Sequence, residues 1–221
     1  MKEILDKTTE RISNILTNQP EVEAEIRYFA GKVYRDLGDY QAAELMQRRV
    51  VALQRQLHPK GHADVADALS NLAIVLMLRG HLSEAEALSR EAVAMGKQCL
   101  GPEDSNVAAW LTNLGTVLTH ESKFQEAEAL YREALAIRRK SLGSEHPLVA
   151  QSLRELGLLL NHRGNLPEAE AMLREPVAIA RKLPVNDYVD TATVLAYLAN
   201  VLTAEGKPSE AKALTEGESN K

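Results

Sequence analysis

The sequence predicts an all-α solenoid built from about five helix-turn-helix hairpins. Near copies of one stretch begin at Leu69, Leu111 and Leu153, so the chain repeats with a period of 42 residues. Small residues and leucines recur in each copy at helical spacing, and no window shows the two-residue alternation of a strand. Such a period is typical of proteins in which each unit buries its apolar face only against its neighbours.

Columns of small residues set the register of the copies. The turn position is occupied by Gly38, Gly80, Ser122, Gly164 and Gly206. Five residues later stand Ala43, Ala85, Ala127, Ala169 and Ala211. A second small column, before the turn, consists of Gly31, Ala73, Gly115, Gly157 and Ala199, and the column beside it is mostly leucine. Small residues next to apolar residues at i and i+4 predict one helix packed tightly against another.

The third copy illustrates the predicted limits of one hairpin. Its first helix is predicted from Asp104 to Glu121 and its second from Phe124 to Ser141. In the segments between copies, Gly101 and Gly143 suit the C-terminus of a helix. Pro147 suits the first turn of the helix that follows. Each copy is therefore expected to contribute two helices joined by a short turn.

The same register divides the chain into three parts. Residues 1–21 are predicted to form an N-terminal helix and lead-in, residues 22–214 the solenoid, and residues 215–221 a polar tail. Within the solenoid, the repeats are predicted at about 24–65, 66–107, 108–149, 150–191 and 192–214.

One proline interrupts the pattern. Pro176 stands in the second helix of the fourth copy, where the earlier copies have Val50, Ala92 and Ala134. Proline lacks a backbone donor and clashes with the preceding turn, which costs about 3 kcal/mol in an ordinary helix interior. We therefore expect a kink or a break at this residue.

Composition and charge exclude several classes of function. The 221 residues are 45% hydrophobic and 26% charged, which suits a folded, soluble protein. Because 31 acidic residues outnumber 26 Lys and Arg, we expect no nucleic acid partner. The single cysteine, Cys99, cannot form an internal disulfide, and the chain shows neither a signal peptide nor an apolar run of about 18 residues. We expect a cytoplasmic protein without membrane contact.

The repeated columns resemble a known family. Together with the stretches LGDYQAAE, RGHLSEAE, ESKFQEAE and RGNLPEAE, they are similar to tetratricopeptide repeats over about residues 22–214. The 42-residue period and the linker LGSEHPLVA resemble the longer repeats of kinesin light chains. The opening segment also resembles the one that introduces such repeats in bacterial serine/threonine protein kinases. The resemblance implies a right-handed superhelix whose first helices line a concave groove for a peptide or protein partner.

The sequence contains no arrangement that predicts catalysis. Motifs of metalloproteases, serine hydrolases, phosphate-binding loops and dinucleotide-binding folds are absent, as are the kinase HRD and DFG elements. Glu44, Glu86, Glu128 and Glu170 each stand four residues before an arginine. That order favours ion pairs on a helix surface, worth about 0.2–0.5 kcal/mol each. We predict a non-enzymatic protein with no catalytic residue, no cofactor and no metal site.

Two pairs of histidines have a functional and a structural interpretation. His120 and His162 occupy equivalent positions in neighbouring copies, where they could share a metal ion or respond to pH. No carboxylate stands at a matched position to complete a metal site, so we favour two histidines at the edge of a groove. His58 and His62 are separated by a proline and a glycine, which disfavour a regular helix, and we attribute them to the polarity of a loop.

Trp110 is the only tryptophan and shares a column with Ile26, Ala68, Ser152 and Val194. Because most members of this column are small or apolar, we favour packing between hairpins over stacking against a ligand.

The resemblance places ligand-facing positions on the first helices of the second to fourth copies. These positions are Ser70, Asn71, Ile74, Thr112, Asn113, Thr116, Arg154 and Glu155. Asn71 and Asn113 interrupt the apolar pattern at one register, and an amide offers a donor and an acceptor to an extended peptide. Asparagines of this type contact cargo peptide in kinesin light chains. Alternatively, both only cap or solvate the helix surface, and Glu155 at the same register departs from a uniform clamp.

Other partners and roles are also compatible with the sequence. Clamps for acidic chaperone tails need cations on successive first helices. Lys32 and Arg35 could serve from the first copy, but Ala109 and Asn113 stand where the third copy would need cations. Apolar faces at the solenoid ends and a short last hairpin suit a homodimer formed through those ends. A further alternative is a regulatory region of a larger signalling protein such as a bacterial kinase.

Overall fold

The computed structural model describes residues 16, 18–182 and 191–216, and this part of the chain forms ten α-helices and no strand. The helices are α1 (Pro20–Asp36), α2 (Tyr40–Leu57), α3 (Ala63–Leu78), α4 (Leu82–Leu100), α5 (Ser105–His120), α6 (Phe124–Leu142), α7 (Pro147–His162), α8 (Leu166–Lys182), α9 (Thr191–Ala204) and α10 (Pro208–Glu216). Odd-numbered helices are the first helices of the copies and even-numbered helices are the second. The predicted all-α solenoid of helical hairpins is confirmed.

The chain divides into two compact units, residues 1–122 and 123–221. In the first unit, α1 packs on α2 and α3 on α4, and α5 contacts both α3 and α4. In the second unit, α7 packs on α8 and α9 on α10, while α6 contacts α7 and α8 contacts α9. The division falls inside the repeat predicted at 108–149, where the columns of small residues continue without interruption.

The predicted ends of the solenoid fall near the limits of the described chain. Helix α1 begins at Pro20, and residues 1–15 and 17 of the predicted lead-in lie outside the described residues. Helix α10 is described from Pro208 to Glu216. It extends into the predicted tail, of which residues 217–221 lie outside the described part.

The ends of the helices follow the residues that predicted them. Helices α5 and α6 begin and end within one residue of their predicted limits. The Asp104 side chain caps α5 by accepting a hydrogen bond from the backbone N–H of Asn106 at 2.8 Å. Pro147 is the first residue of α7. Gly101 and Gly143 end α4 and α6 with φ angles of +89° and +83°, which glycine adopts without a steric penalty.

Two glycines of the small column explain how closely the paired helices approach. A Cβ atom added at Gly31 on α1 would lie 2.6 Å from Nε2 of Gln47 on α2. One added at Gly157 on α7 would lie 2.8 Å from Cγ of Leu173 on α8. Both distances are shorter than non-bonded atoms tolerate, so an atom must shift in each case. At Gly31 the end of the flexible Gln47 side chain can move, whereas at Gly157 the contact is with the branch point of the buried Leu173, so glycine is favoured more strongly there.

The columns that are mostly leucine form the apolar core. Leu72, Leu114, Leu156 and Leu198, one in each of four first helices, are at most 3% exposed. Four residues later, Tyr34, Leu76, Leu118, Leu160 and Leu202 are at most 2% exposed. Complete burial of one such side chain stabilises the folded chain by about 1.5–3 kcal/mol, so these columns account for much of the packing within the hairpins.

The recurring Glu–Arg pairs are formed, and they also connect successive hairpins. In α2, α4, α6 and α8, the glutamate pairs with the arginine four residues later at 2.6–2.9 Å. Arg48 also reaches Glu84 on the next second helix at 2.9 Å, and Arg132 reaches Glu168 at 2.5 Å. Exposed pairs stabilise by only about 0.2–1 kcal/mol each, but this ladder joins one second helix to the next. The four-residue spacing of Glu and Arg predicted the pairs within each helix, but not the ion pairs between one second helix and the next.

Pro176 does not break the helix that contains it. Helix α8 runs without interruption from Leu166 to Lys182, and the proline is buried within it. Of the expected kink or break, the break is therefore wrong, and the kink stays a prediction. Burial of the ring offsets part of the cost of the missing backbone donor, which the sequence pattern alone does not reveal.

Replacement of Pro176 with alanine is expected to raise the Tm by about 2–4 °C. Alanine restores the backbone donor and removes the clash with the preceding turn, and we expect a net gain of about 1 kcal/mol after the loss of packing. Thermal denaturation followed by circular dichroism measures the change. Pro167→Ala is the matched control, because a proline in the first turn of α8 carries no such cost. An unchanged or lower Tm for Pro176→Ala, compared with this control, would mean that the packing of the ring outweighs the backbone cost.

Candidate functional site

Helices α3 and α5, two first helices of the first unit, present a row of partly exposed side chains, of which only Ile74 is apolar. Helices α3 and α5 are in direct contact with each other. Asn71 and Ile74 on α3, and Asn113 and Thr116 on α5, are each half-buried. Four of the predicted ligand-facing residues therefore lie on adjacent helices with part of their surface accessible to a ligand.

The two asparagines already use their amide nitrogen atoms within the protein. Nδ2 of Asn71 donates to the backbone oxygen of Asp67 at 2.8 Å and to its carboxylate at 3.2 Å. Nδ2 of Asn113 donates across the helix interface to Oγ of Ser70 at 2.9 Å. The sequence revealed neither structural role. Among the described residues no group donates to Oδ1 of either asparagine, so both oxygens remain available as acceptors.

Two of the predicted ligand-facing residues have buried side chains. Ser70 is 1% exposed and Thr112 is 5% exposed, so neither side chain presents a surface to a ligand. Ser70 accepts the hydrogen bond from Asn113, and Oγ1 of Thr112 donates to the backbone oxygen of Ala108 at 2.8 Å. Ser70 holds the side chain of Asn113 in position, and Thr112 bonds within α5. The bond of Thr112 to its own helix and the bond from Asn113 to Ser70 reduce the cost of burying these hydroxyl groups, and the spacing of residues in the sequence shows neither bond.

Arg154 and Glu155 lie on α7, in the second unit. The Nη2 atom of Arg154 donates to Oε1 of Glu155 at 2.6 Å, and both side chains are half-buried. The two residues therefore neutralise each other. This pairing of neighbours explains why glutamate is tolerated at the register of the two asparagines.

A cavity of about 250 Å³ opens between α1 and α3 in the first unit. Its polar lining consists of Glu21, Glu25, Tyr28, Gln54, Asp64 and Asp67. The Oε1 atom of Gln54 is buried and has no hydrogen-bond partner among the described residues. Carboxylates and this amide oxygen are acceptors, so the cavity suits a group that brings donors and positive charge. None of these residues was selected from the sequence, because they belong to no repeated column.

Asp67 connects this cavity to the row of polar side chains. Its Oδ1 accepts from Nε1 of Trp110 at 3.3 Å, and its Oδ2 accepts from Asn71. Although Asp67 is an exposed residue, nearby protein removes part of the water around its carboxylate. This partial desolvation raises the pKa of Asp67, and the hydrogen bonds from Trp110 and Asn71 oppose the shift. Desolvation also raises the pKa of the Tyr28 hydroxyl, and the charge of Asp67 adds to that effect.

Trp110 packs inside the first unit. Its side chain is 3% exposed, and a Cβ atom added at Gly96 on α4 would lie only 2.0 Å from its ring. The ring therefore fills the space that the absence of a side chain at Gly96 leaves. This confirms packing between hairpins, and the hydrogen bond to Asp67 gives the indole N–H a partner at the edge of the site.

The basic residues considered for a carboxylate clamp have partners of their own. Nζ of Lys32 lies 5.6 Å from the centre of the Tyr28 ring, and Arg35 pairs with Asp36 at 3.1 Å.

In the second unit, the ring of His162 packs against Phe124 with their centres 4.9 Å apart. These contacts give each side chain a structural role.

Comparison with protein-family models identifies the repeats. The tetratricopeptide repeat model matches residues 22–98, 64–140, 106–182 and 155–216. The chain belongs to the tetratricopeptide repeat family. Repeats of this family are general protein-interaction modules. A comparison with curated proteins found no match. None of the tetratricopeptide helices in the described part of the chain is both long and apolar enough to cross a membrane.

Solved structures with the same fold include kinesin light chain-like tetratricopeptide proteins. A putative kinesin light chain of Podosopora anserina with nearly identical repeats is 27% identical, with a TM-score of 0.74, and the match covers 90% of this chain and 94% of that one. BtubC (BKLC) from P. vanneervenii is 21% identical, with a TM-score of 0.82 over 99% and 88% of the two chains. PilF of Pseudomonas aeruginosa is 19% identical, with a TM-score of 0.64 over 89% and 75%. The last two similarities concern the fold alone.

Proposed function

We propose that the chain is a non-enzymatic scaffold that binds an extended peptide segment along α3 and α5 of the first unit. The observation that carries this proposal is the pair Asn71 and Asn113. They stand at one register on two contacting helices and are partly exposed, and no group in the described part of the chain donates to either side-chain oxygen. The membership of the tetratricopeptide repeat family supports a role in protein–protein interaction.

The spacing of the two asparagines suits an extended chain. Axes of packed helices are about 8–10 Å apart, and a strand advances about 3.3 Å per residue. That distance corresponds to about two to three residues. Because backbone N–H groups two residues apart point to the same side of a strand, Asn71 and Asn113 would accept from residues i and i+2 of the ligand. The internal bonds of their amide nitrogens hold the oxygens in place, so little side-chain entropy is lost on binding. Ile74 and Thr116, one turn further along each helix, would contact the side chains between these two points.

The charge around the site favours a basic segment. The cavity next to Asn71 is lined by four carboxylates, and Asp67 belongs to both the cavity and the row of polar side chains. Acidic tails of the kind held by carboxylate clamps would meet like charge there. We therefore expect the bound segment to carry lysine or arginine at the position that reaches the cavity.

Replacement of both asparagines with alanine is expected to weaken peptide binding about five- to a hundredfold. The loss corresponds to two or more hydrogen bonds, about 1–3 kcal/mol. A phage-displayed library of random linear peptides, selected on the full chain, supplies the ligand, and titration calorimetry measures the Kd. Circular dichroism of the double variant checks that the helices are intact.

The matched control is the double variant Arg55→Ala/Glu91→Ala. These residues form an exposed ion pair at 2.6 Å between the second helices α2 and α4 of the same unit, whereas the asparagines are on the first helices α3 and α5. We expect its Kd to stay within about twofold of the original protein, because exposed pairs contribute little. A control that weakens binding while the asparagine variant does not would place the ligand on the second helices. A library that yields no peptide would also contradict the proposal.

A further inference from the structure

The turn between the first two hairpins brings two histidines and an aspartate together. His58 follows the last residue of α2, and His62 precedes the first residue of α3. Gly61 between them has a φ of +89°, which reverses the chain within a few residues. The two imidazole rings stack with their centres 4.4 Å apart and an angle of 17° between their planes. The proline and glycine that exclude a helix here therefore bring the histidines closer together.

The ring nitrogens face one carboxylate oxygen. Nδ1 of His62 lies 3.0 Å from Oδ2 of Asp64, and Nε2 of His58 lies 3.5 Å from the same atom. One ligand atom from each of the three residues lies within 4.8 Å of the other two. Nitrogen and oxygen ligands bind zinc at about 2.0–2.2 Å, so neighbouring ligands of a tetrahedral site are about 3.3–3.5 Å apart. The two distances from the imidazole nitrogens to Oδ2 of Asp64 are close to this value.

Helix capping explains only one member of the cluster. Nδ1 of His62 accepts the backbone N–H of Asp64 at 3.3 Å, and His146 caps α7 in the same way at 3.1 Å. The turn before α7 has Leu142 and Leu148 at the registers of His58 and Asp64. A histidine cap therefore needs neither a second imidazole nor a carboxylate.

The electrostatics of the cluster call for a cation. As the acceptor of the cap, Nδ1 of His62 carries a lone pair, yet it lies next to a carboxylate oxygen. Two electron-rich atoms at this distance repel each other unless a proton or another positive charge lies between them. Asp64 also lines the acidic cavity, and its charge contributes to the raised pKa of Asp67. The surrounding field therefore favours a bound cation.

We propose that His58, His62 and Asp64 form a binding site for a divalent transition-metal ion of the zinc type. Imidazole nitrogens and a carboxylate oxygen are ligands that zinc prefers, whereas magnesium and calcium prefer oxygen alone. All three side chains are partly or fully exposed, so an ion has access from solvent and water completes its coordination. Because Nδ1 of His62 has a single lone pair, the ion would take the place of the cap hydrogen bond from the backbone N–H of Asp64. It would join the end of α2 to the start of α3 and thereby stabilise the packing of the first hairpin on the second.

Titration calorimetry of the full chain with zinc chloride, after removal of any purification tag, tests the proposal. We expect one zinc ion per chain, a Tm that rises with zinc, and no comparable effect of magnesium. His58→Gln and Asp64→Asn should each weaken zinc binding more than about tenfold, since loss of a ligand exceeds the effect of losing a supporting group. Both variants retain the His62 cap, so the fold is expected to remain intact.

His81→Gln is the matched control. His81 is an exposed histidine of the same unit, and it precedes α4 without a side-chain cap. Its replacement should leave zinc affinity unchanged. The proposal is overturned if the original chain does not bind zinc, or if His58→Gln and Asp64→Asn bind it as tightly as His81→Gln. The outcome is independent of peptide binding, because the metal alone is the probe.

Discussion

Replacement of Trp110 with alanine is expected to lower the free energy of unfolding by about 3–5 kcal/mol. The indole is almost completely buried and fills the space opposite Gly96, so alanine leaves a cavity that neighbouring helices cannot fill. The change also removes the donor to Asp67. Urea denaturation followed by circular dichroism measures the loss, because the variant has no tryptophan fluorescence.

Trp110→Phe serves as the control for this prediction. Phenylalanine keeps most of the apolar volume but not the N–H group, so it should retain a large part of the stability. A loss for Trp110→Ala within about 0.5 kcal/mol, the range of ordinary surface substitutions, would contradict the packing described here.

Leu114→Ala is expected to lower the free energy of unfolding by about 2–5 kcal/mol. Leu114 is 2% exposed in α5 and belongs to the column that repeats as Leu72, Leu156 and Leu198. Removal of three buried carbon atoms leaves a cavity in a core that is shared by successive helices. The same urea experiment measures the effect.

Leu45→Ala makes the same chemical change at an exposed position. Leu45 lies on α2 with 66% of its surface accessible, so its truncation should change stability by no more than about 0.5 kcal/mol. If both variants lose equal stability, or if Leu114→Ala loses none, the register that defines the core is incorrect.

Most of the fold follows from periodicity in the sequence. The alanine and leucine columns predicted the helices, and Asp104, Gly101 and Gly143 predicted where individual helices begin and end. These signals are local, because caps and turns depend on a few neighbouring residues. The division into two units and the continuity of α8 through Pro176 depend on packing between distant residues, which a periodic pattern does not encode.

The candidate site was only partly predictable. The register placed Asn71 and Asn113 on contacting helices, but it did not show that Ser70 accepts a hydrogen bond from Asn113 or that Thr112 is buried. The rotamer of the side chain decides whether a hydroxyl points towards solvent or towards its own helix. The spacing of residues in the sequence does not determine that rotamer.

The histidine cluster illustrates a different limit of sequence reasoning. His58 and His62 were considered as neighbours on a helix, and the intervening Pro59 and Gly61 excluded that geometry. The structure brings the rings together through the turn itself and adds Asp64 from the first turn of α3. The sequence signal for this cluster is therefore two histidines and an aspartate within seven residues that span a turn.

The most direct test of the central claim, that a peptide binds along α3 and α5, is nuclear magnetic resonance of the side-chain amide groups. The signals of Asn71 and Asn113 can be assigned from the single alanine variants and followed during titration with the selected peptide. Both signals are expected to shift as peptide is added, and the Kd fitted to these shifts should equal the Kd from calorimetry. Asn165, whose amide donates to Glu168 at 2.8 Å in the second unit, should not respond. Unchanged signals of Asn71 and Asn113 at saturation, with shifts elsewhere in the chain, would contradict the account.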